Sequence, residues 1–396
     1  MENFLEITDE KKWGTTFDLI NWWKRESVEA AHIMVVGAGA LGNEVLKNLA
    51  LFGVGHIFIT DFDDIEYSNL ARSVLFRERD CGKYKAEVAA ERIKDINPNI
   101  KVKAVRSDVI NEIGLGVFRR MDAIIGCLDN REARLYMNRH SYRVGKSWID
   151  GGIENLAGEI NVYTPNISCY ECKLSQIEWD NIKFRLGCAD VAKATIISGK
   201  IPTTPISSSI IGAMQVQEAL KIIHKNQKQS LAGTRFFYEG MSNEFIKLKQ
   251  KRLKEKCLSH QILSSQDIIE SPLKSSMSLK DVFSWLTKTL QEEEITIKLP
   301  HEVVFQLATF KSEQVYDVVI PKYKATAKAL KRYRTIPNER IIFTKQISEI
   351  YDDFEKQTLT LNELGVPPLQ ILTVETIKNK YFVELTGDKD EYFIFK

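Results

Sequence analysis

The chain has 396 residues, of which 44% are hydrophobic and 27% are charged, and its formal net charge is +2. This length exceeds what one core usually supports, so we expect two or three domains. The near-neutral charge gives no electrostatic support for a nucleic-acid or membrane partner, and no apolar run reaches the about 20 residues of a membrane span. The acidic amino terminus lacks a signal-peptide pattern, and six cysteines in so long a chain favour reduced thiols, metal ligation or catalysis. We therefore expect a cytoplasmic protein.

A glycine-rich turn follows the first predicted strand. After an amphipathic helical segment over residues 1–30, the apolar run Ile33–Val36 leads into Gly37-Ala-Gly39-Ala-Leu-Gly42. A helical pattern follows, and a second apolar strand ends at Asp61. A strand, a glycine turn, a helix start and an acid about 20 residues later predict a dinucleotide or nucleotide site. Gly37 and Gly39 permit close backbone approach, Gly42 permits helix packing, and the helix N-terminus attracts phosphate.

Strands and helices alternate through the first 250 residues, which predicts a mostly parallel sheet covered by helices. We expect strands at Ile33–Val36, Ile57–Thr60, Val102–Val105, Ala123–Cys127, Ser147–Gly151 and Gly158–Tyr163, and helices at 42–51, 83–96, 110–119 and Ser209–His224.

The composition changes near residue 261, where a serine- and proline-containing stretch is typical of a linker. The remaining segment, 275–396, predicts a separate, smaller α+β domain. Its expected strands are 295–299, 316–320, 340–343, 371–374, 380–385 and 391–395, and its expected helices are 278–291 and 322–333.

Five separated motifs carry polar and charged residues in a specific order. The glycine loop and Asp61 are followed by Ser68-Asn69-Leu-Ala-Arg72, by Lys85 shortly after Gly82, and by Leu128-Asp129-Asn130 after a later strand. Over residues 15–260 this order resembles the ThiF/MoeB-type adenylyltransferases and ubiquitin-activating enzymes. The resemblance implies a Rossmann-like adenylation domain over 31–260.

The resemblance also implies roles for individual residues in adenylating a carboxylate with ATP. Asp61 would bind the ribose hydroxyls, and Asn69, Arg72 and Lys85 would hold and neutralise the phosphates, as the charge concentrated in the transition state requires. Asp129 would help to hold Mg²⁺. Each of these features taken alone has another explanation. Asp61 could be a helix cap or turn residue, Arg72 and Lys85 could be solvated surface charges, and the glycine loop could bind NAD. The joint order favours ATP.

One feature departs from the family pattern. Relatives usually carry an arginine in the amino-terminal segment that reaches the ATP site of the partner subunit in a homodimer. Residues 11–17 contain no arginine, and Lys12 and Arg25 are the candidates to replace it.

Two cysteine-containing pairs have metal-ligand spacing. Cys169 and Cys172 form a C-x₂-C pair, and Cys257 and His260 form a C-x₂-H pair. Together they supply the four ligands of a structural zinc site, which would join the end of the adenylation domain to the segment carrying the first pair. The alternative is that Cys257 and His260 are ordinary residues beside a basic helix.

Of the other cysteines, Cys127 lies in an apolar strand and predicts a buried core thiol, whereas Cys81 lies in a turn. Cys188 precedes the Pro202-Thr-Thr segment, which is where ubiquitin-activating relatives carry the cysteine that forms a thioester. The resemblance therefore implies a nucleophile at Cys188, and the alternative is an inert loop cysteine.

Two features of the carboxyl-terminal region bear on partners. Residues 358–375 resemble part of a ubiquitin-fold domain, which in ubiquitin-activating enzymes docks the conjugating enzyme. The basic stretch 322–334 is compatible with nucleic acid, but in a nearly neutral chain a solvated face or a surface for an acidic protein is favoured.

The leading hypothesis is an enzyme that adenylates the C-terminal glycine carboxylate of a ubiquitin-like protein, captures it on Cys188 and passes it to a conjugating enzyme. A second hypothesis is adenylation of a sulfur-carrier protein without thioester transfer. Those pathways often end in a rhodanese domain with its own cysteine, and no cysteine follows Cys257. A third hypothesis is a non-catalytic scaffold.

Overall fold

The computed structural model describes residues 13–165, 167, 169–187, 202–226, 229–250 and 257–396. These residues form an eight-stranded sheet and a six-stranded sheet, each with its own helices. No helix among these residues is both long and apolar enough to cross a membrane.

The large sheet has the strand order β3-β2-β1-β4-β5-β6-β7-β8. Its strands are β1 (His32–Val36), β2 (His56–Thr60), β3 (Lys101–Val105), β4 (Ala123–Gly126), β5 (Trp148–Glu154), β6 (Ala157–Tyr163), β7 (Thr234–Glu239) and β8 (Glu244–Lys249). The first five in this order are parallel to one another, and β6 to β8 extend the sheet in antiparallel fashion. The predicted parallel α/β sheet is confirmed, within one to three residues at the strand ends.

Helices and irregular turns cover both faces of this sheet. The helices are α1 (Arg25–Ala30), α2 (Ala40–Phe52), α3 (Lys85–Ile96), α4 (Val109–Glu112), α5 (Leu115–Arg119), α6 (Arg131–Arg143), α7 (Tyr170–Lys173), α8 (Gln176–Gly187) and α9 (Pro205–Ile223). On β1, Ile33 and Val35 face the core beneath α2, α3 and α9, whereas Met34 and Val36 face the opposite core. Burial on both faces explains the uninterrupted apolar runs in the sequence.

The second sheet has the order β11-β10-β13-β14-β9, and β12 pairs with β10. Its elements are β9 (Ile268–Glu270), α10 (Leu279–Leu290), β10 (Thr296–Thr309), β11 (Val315–Pro321), α11 (Ala327–Leu330), β12 (Ile341–Tyr351), β13 (Ile371–Glu375), β14 (Lys380–Glu384) and α12 (Lys389–Tyr392). The strands β9 and β14 are parallel, and the other pairs are antiparallel. The smaller mixed domain is thus present, although β9 lies in the stretch whose composition is typical of a linker.

The two sheets share a core. Ile371 of β13 and Leu369, in the turn before it, are buried with Met34 of the first sheet. At Gly114, a Cβ would lie 2.2 Å from the carbonyl oxygen of Pro368, so the two backbones are in direct contact. This contact passes through the break between α4 and α5, and it explains why the single helix expected over 110–119 is instead two short ones.

Two further expectations for the second region are wrong. Residues 391–395 do not form a strand: α12 ends at Tyr392, and Phe393 and Phe395 then pack around the stacked rings of His32 and His56. The stretch 322–333 contains only a 3₁₀ turn, the four-residue α11 and a second 3₁₀ turn, because the backbone leaves the helical conformation at Ala325 and Thr326.

Candidate functional site

A wide cleft opens where the parallel strands end. The chain leaves β1 toward β2 on one side and returns to β4 on the other, so the carboxyl ends of β1 and β4 flank a crevice. Open α/β sheets bind ligands at such a switch point. The cleft encloses about 2500 Å³ and is lined by the glycine loop, Asp61, Arg72, Lys85 and Asp129. All five predicted motifs therefore meet in one place.

The glycine loop is shaped by backbone contacts. Gly37 has φ +93°, and a Cβ there would lie 2.4 Å from the carbonyl oxygen of Cys127. A Cβ at Gly42 would lie 2.0 Å from the carbonyl oxygen of Gly37. At Gly39, by contrast, a Cβ would meet open space, which leaves room beside the start of α2 for a phosphate.

Asn43 holds this loop in place, and the sequence motifs did not single it out. The side chain is fully buried, and its Nδ2 donates to the carbonyl oxygens of Ala38 (2.8 Å) and Gly39 (2.9 Å). Its Oδ1 accepts from the backbone N–H of Leu75 at 2.9 Å. A polar residue directly after the third glycine, on the buried side of a helix, is the sequence signal that points to it.

Asp61 ties the end of β2 to the glycine loop. One carboxylate oxygen accepts from the backbone N–H of Ala38 at 2.7 Å, and the other accepts from that of Asp63 at 2.8 Å. Burial raises the pKa of Asp61, against the opposing effects of Lys85 and of the two N–H donors. The carboxylate keeps free lone pairs, so further hydroxyl donors can be accommodated.

Lys85 and Asp63 form an ion pair in the cleft wall, with Nζ 2.7 Å from Oδ2. The lysine side chain is 11% exposed and the carboxylate is 52% exposed. Asp63, whose role the sequence leaves open, thus holds the ammonium group at the cleft surface.

Asn69 and Arg72 lie on the 3₁₀ turn Tyr67–Arg72. Asn69 is buried, and its Oδ1 accepts from the backbone N–H of Glu66 at 2.9 Å, which fixes the start of the turn. Arg72 lines the cleft, and its Nη1 donates to the carbonyl oxygen of Ser68 at 3.1 Å.

Asp129 is exposed in the loop after β4, where Asn130 caps α6 by accepting from the backbone N–H of Ala133 at 2.8 Å. Arg134, which the sequence motifs did not include, holds this loop in place. It donates to the carbonyl oxygen of Leu128 at 2.7 Å and pairs with the buried Asp150 at 2.9 Å. Its position one turn into the helix that the motif begins is the available sequence signal.

The four predicted metal ligands form a compact cluster. Ligand atoms of Cys169, Cys172, Cys257 and His260 all lie within 4.8 Å of one another. The Sγ of Cys169 is 3.7 Å from that of Cys172 and 3.6 Å from that of Cys257, and the Sγ of Cys172 is 3.4 Å from His260 Nε2. A zinc–sulfur bond of 2.3 Å gives tetrahedral ligand separations of about 3.8 Å, so the set fits zinc.

The surroundings support this cluster. The ring of Tyr142 stacks on His260 with centroids 4.7 Å apart. Between the ligands, Ser259 donates to Glu171 at 2.5 Å and accepts from Asn138 at 2.8 Å. These contacts link α6, α7 and the segment that follows β8.

Of the remaining candidates, Lys12 and Cys188 lie outside the described residues. Arg25 is bound within its own segment, since it pairs with Asp18 at 2.7 Å and donates to the carbonyl oxygen of Gly14 at 3.1 Å. Cys81 is exposed. Cys127 is partly rather than fully buried: it packs against the core and also lines the cleft, and burial raises the pKa of its thiol.

Comparison with known proteins identifies the family. The model of the ThiF family matches residues 15–259, and the chain belongs to that family. It is 30% identical over 234 residues to the sulfur carrier protein adenylyltransferase of Thermus thermophilus, which covers 58% of this chain and 82% of that protein. It is 36% identical over 150 residues to SUMO-activating enzyme subunit 2 of Dictyostelium discoideum, covering 37% of this chain but only 23% of that protein.

Among solved structures, the chain is similar to the microcin C7 biosynthetic enzyme MccB in complex with N-formylated MccA. The TM-score is 0.50 at 23% identity, over 60% of this chain and 69% of that one, so the likeness concerns the fold. The family match ends at residue 259 and thus leaves out the second sheet. Membership in the family supports ATP use and adenylyltransferase activity.

Proposed function

We propose that this chain adenylates the C-terminal carboxylate of a ubiquitin-like or sulfur-carrier protein, using Mg·ATP. The observation that carries the proposal is that five motifs spread over about 90 residues meet at the β1–β4 crevice. The Thermus and Dictyostelium relatives are named for activating carriers and modifiers of this kind.

The proposed chemistry assigns work to individual groups. The glycine loop and the start of α2 receive the phosphates, and Asp61 accepts from the ribose hydroxyls. An oxygen of the partner's carboxylate attacks the α-phosphorus, the bond from that phosphorus to the bridging oxygen breaks, and pyrophosphate leaves. Arg72, Lys85 and Asn69 stabilise the charge on the phosphoryl oxygens, with Lys85 shared between Asp63 and the phosphate. The products are an acyl adenylate and pyrophosphate.

Two metals belong to the proposal. Asp129, an exposed carboxylate at the cleft, would hold the Mg²⁺ that neutralises phosphate charge. Zinc would occupy the site of Cys169, Cys172, Cys257 and His260 in a structural role, because four protein ligands leave no open position for catalysis.

The size of the cleft supports a second, larger substrate. Its volume of about 2500 Å³ exceeds the roughly 300–1000 Å³ of ordinary small-molecule sites. Beyond Asp129 the cleft continues along β5 and β6 past Gly152 and Glu159, and on to Phe237 of β7. An extended carboxyl-terminal tail fits a channel of this kind.

The steps that would follow adenylation are proposed from the sequence alone. The thiolate of Cys188 would attack the acyl carbon, forming a carbon–sulfur bond while AMP departs, and the acyl group would pass to a conjugating enzyme on the second domain. A homodimer with shared ATP sites belongs to the same proposal. The alternative, adenylation of a sulfur carrier alone, requires the same cleft but neither Cys188 nor the docking step.

The test is ATP–pyrophosphate exchange with candidate ubiquitin-like and sulfur-carrier proteins, followed by a search for a reducible adduct. Exchange supports adenylation, and its absence with every candidate favours the scaffold hypothesis. An adduct that is lost in Cys188→Ala but kept in Cys81→Ala, the exposed control cysteine, supports the thioester. Exchange without any adduct favours the sulfur-carrier alternative.

A further inference from the structure

The second domain reaches the nucleotide cleft at one end. Tyr323, Lys324 and Thr326, from the turn between β11 and α11, line the same cleft as the glycine loop. They lie outside the segment that matches the ThiF family. The remaining cleft-lining residues of the described chain belong to the first 250 residues.

This turn contacts the cleft wall that follows β3. Lys324 Nζ is 3.7 Å from Glu112 Oε1 at the end of α4, so an ion pair joins the two domains. Tyr323 is partly buried, and burial together with the nearby carboxylates of Glu112 and Asp108 raises its pKa. Its ring is in edge contact with His301, with centroids 4.7 Å apart, which fixes the ring orientation from within the second domain.

The strand order indicates which part of ATP lies there. In the proposed function, on which this inference rests, the phosphates lie at the loop after β1 and the ribose at Asp61 after β2. Because β2 lies between β1 and β3, a nucleotide that runs from the end of β1 to the end of β2 places its base near the end of β3. Thr60 Oγ1 donates to the carbonyl oxygen of Ser107 at 2.9 Å, so the two strand ends are in contact.

We propose that the turn Tyr323–Thr326 of the second domain forms one wall of the pocket for the nucleotide base. Tyr323 supplies an aromatic surface against the base, and the Lys324–Glu112 pair holds the turn over the end of β3. ATP affinity then depends on a segment outside the adenylation domain.

The test compares ATP with inorganic tripolyphosphate, which carries the phosphates but no base. Tyr323→Ala is expected to raise the Kd for Mg·ATP about tenfold, as loss of an aromatic surface against a base does. Lys324→Met is expected to raise it about two- to fivefold, as for an exposed ion pair. The Kd for tripolyphosphate should change less than twofold in both variants.

Two neighbours serve as matched controls. Lys322 pairs with Glu302 and Tyr333 packs against Tyr316, and neither lines the cleft. Lys322→Met and Tyr333→Ala should therefore bind ATP as the wild type does. In addition, Glu112→Gln should match Lys324→Met, and the double variant should be no weaker than either single one.

The outcomes separate the two proposals. If the wild type binds ATP and tripolyphosphate but Tyr323→Ala and Lys324→Met behave as their controls do, the base wall is wrong and the proposed function stands. An equal loss of tripolyphosphate binding in these variants also overturns the base wall, because it indicates a general disturbance of the cleft. If the wild type binds neither ligand, the proposed function is wrong and the base wall fails with it.

Discussion

Replacing Asn43 by leucine tests whether the glycine loop depends on one buried amide. The change keeps the side-chain size but removes the donors to Ala38 and Gly39 and the acceptor for the Leu75 N–H. The carbonyl of Gly39 keeps the N–H of residue 43 as a helix partner, so two buried backbone groups lose their bond. At about 1–3 kcal/mol for each unsatisfied group, we expect a loss of roughly 2–6 kcal/mol in the free energy of unfolding.

The assay is equilibrium denaturation in urea, together with Mg·ATP binding. ATP affinity should fall at least about tenfold, because the loop that receives the phosphates loses its anchor. Asn48→Ala is the control: it lies on the same helix, and its Nδ2 makes a single bond to the Glu44 carbonyl oxygen at 2.9 Å. A loss below about 1 kcal/mol in Asn43→Leu, or equal losses in the two variants, would refute this reasoning.

Three other changes probe separate parts of the molecule. Lys85→Met should lower kcat/KM for pyrophosphate exchange about 100-fold or more. The Tm should change little, because Asp63, its half-exposed partner, stays hydrated. An unchanged exchange rate would contradict the proposed role of Lys85. Cys172→Ser should lose bound zinc, as metal analysis would show, and its Tm should fall by roughly 5–10 °C. If metal-free wild-type protein has the same Tm as the zinc-loaded protein, a structural zinc is excluded. Glu384→Gln weakens the pairing of a fully buried carboxylate with Arg119 and Arg120 between the domains. We expect a loss of about 2 kcal/mol in urea denaturation, and no loss would mean that the apolar contacts alone hold the interface.

The centre of the large sheet was predictable because β1, β2 and β4 are buried and read as apolar runs, and the glycine loop and Asp61 mark where two of them end. The edge strands β7 and β8 were not predicted, and β8 is exposed along its whole length and mixes charged with apolar residues. The second region was harder to predict. Residues 392–395 form a short apolar run, as in a buried strand. Phe393 and Phe395 instead pack around His32 and His56, and in this tail Lys396 exchanges backbone hydrogen bonds with Val102. No local pattern encodes a tail that packs on another domain.

In the candidate site, the sequence identified residues that line the cleft. It did not identify Asn43 or Arg134, because both act through backbone carbonyl groups. Every residue has a backbone carbonyl group, so the residue type at the acceptor position does not reveal such a hydrogen bond. The role of Asp63 was open for a related reason: its partner Lys85 is 22 positions away, and only the fold brings the two to 2.7 Å.

The interface between the sheets bears on how an acyl group would be transferred. Leu369 and Ile371 are buried in the same core as Met34, and Glu384 is paired across the boundary. A domain joined through a shared core does not swing freely, because separating it exposes apolar surface to water. A conjugating enzyme on the second domain would therefore meet the cleft at a fixed distance. Loosening the interface by Glu384→Gln should then slow transfer more than adenylation, which distinguishes a fixed dock from a mobile one.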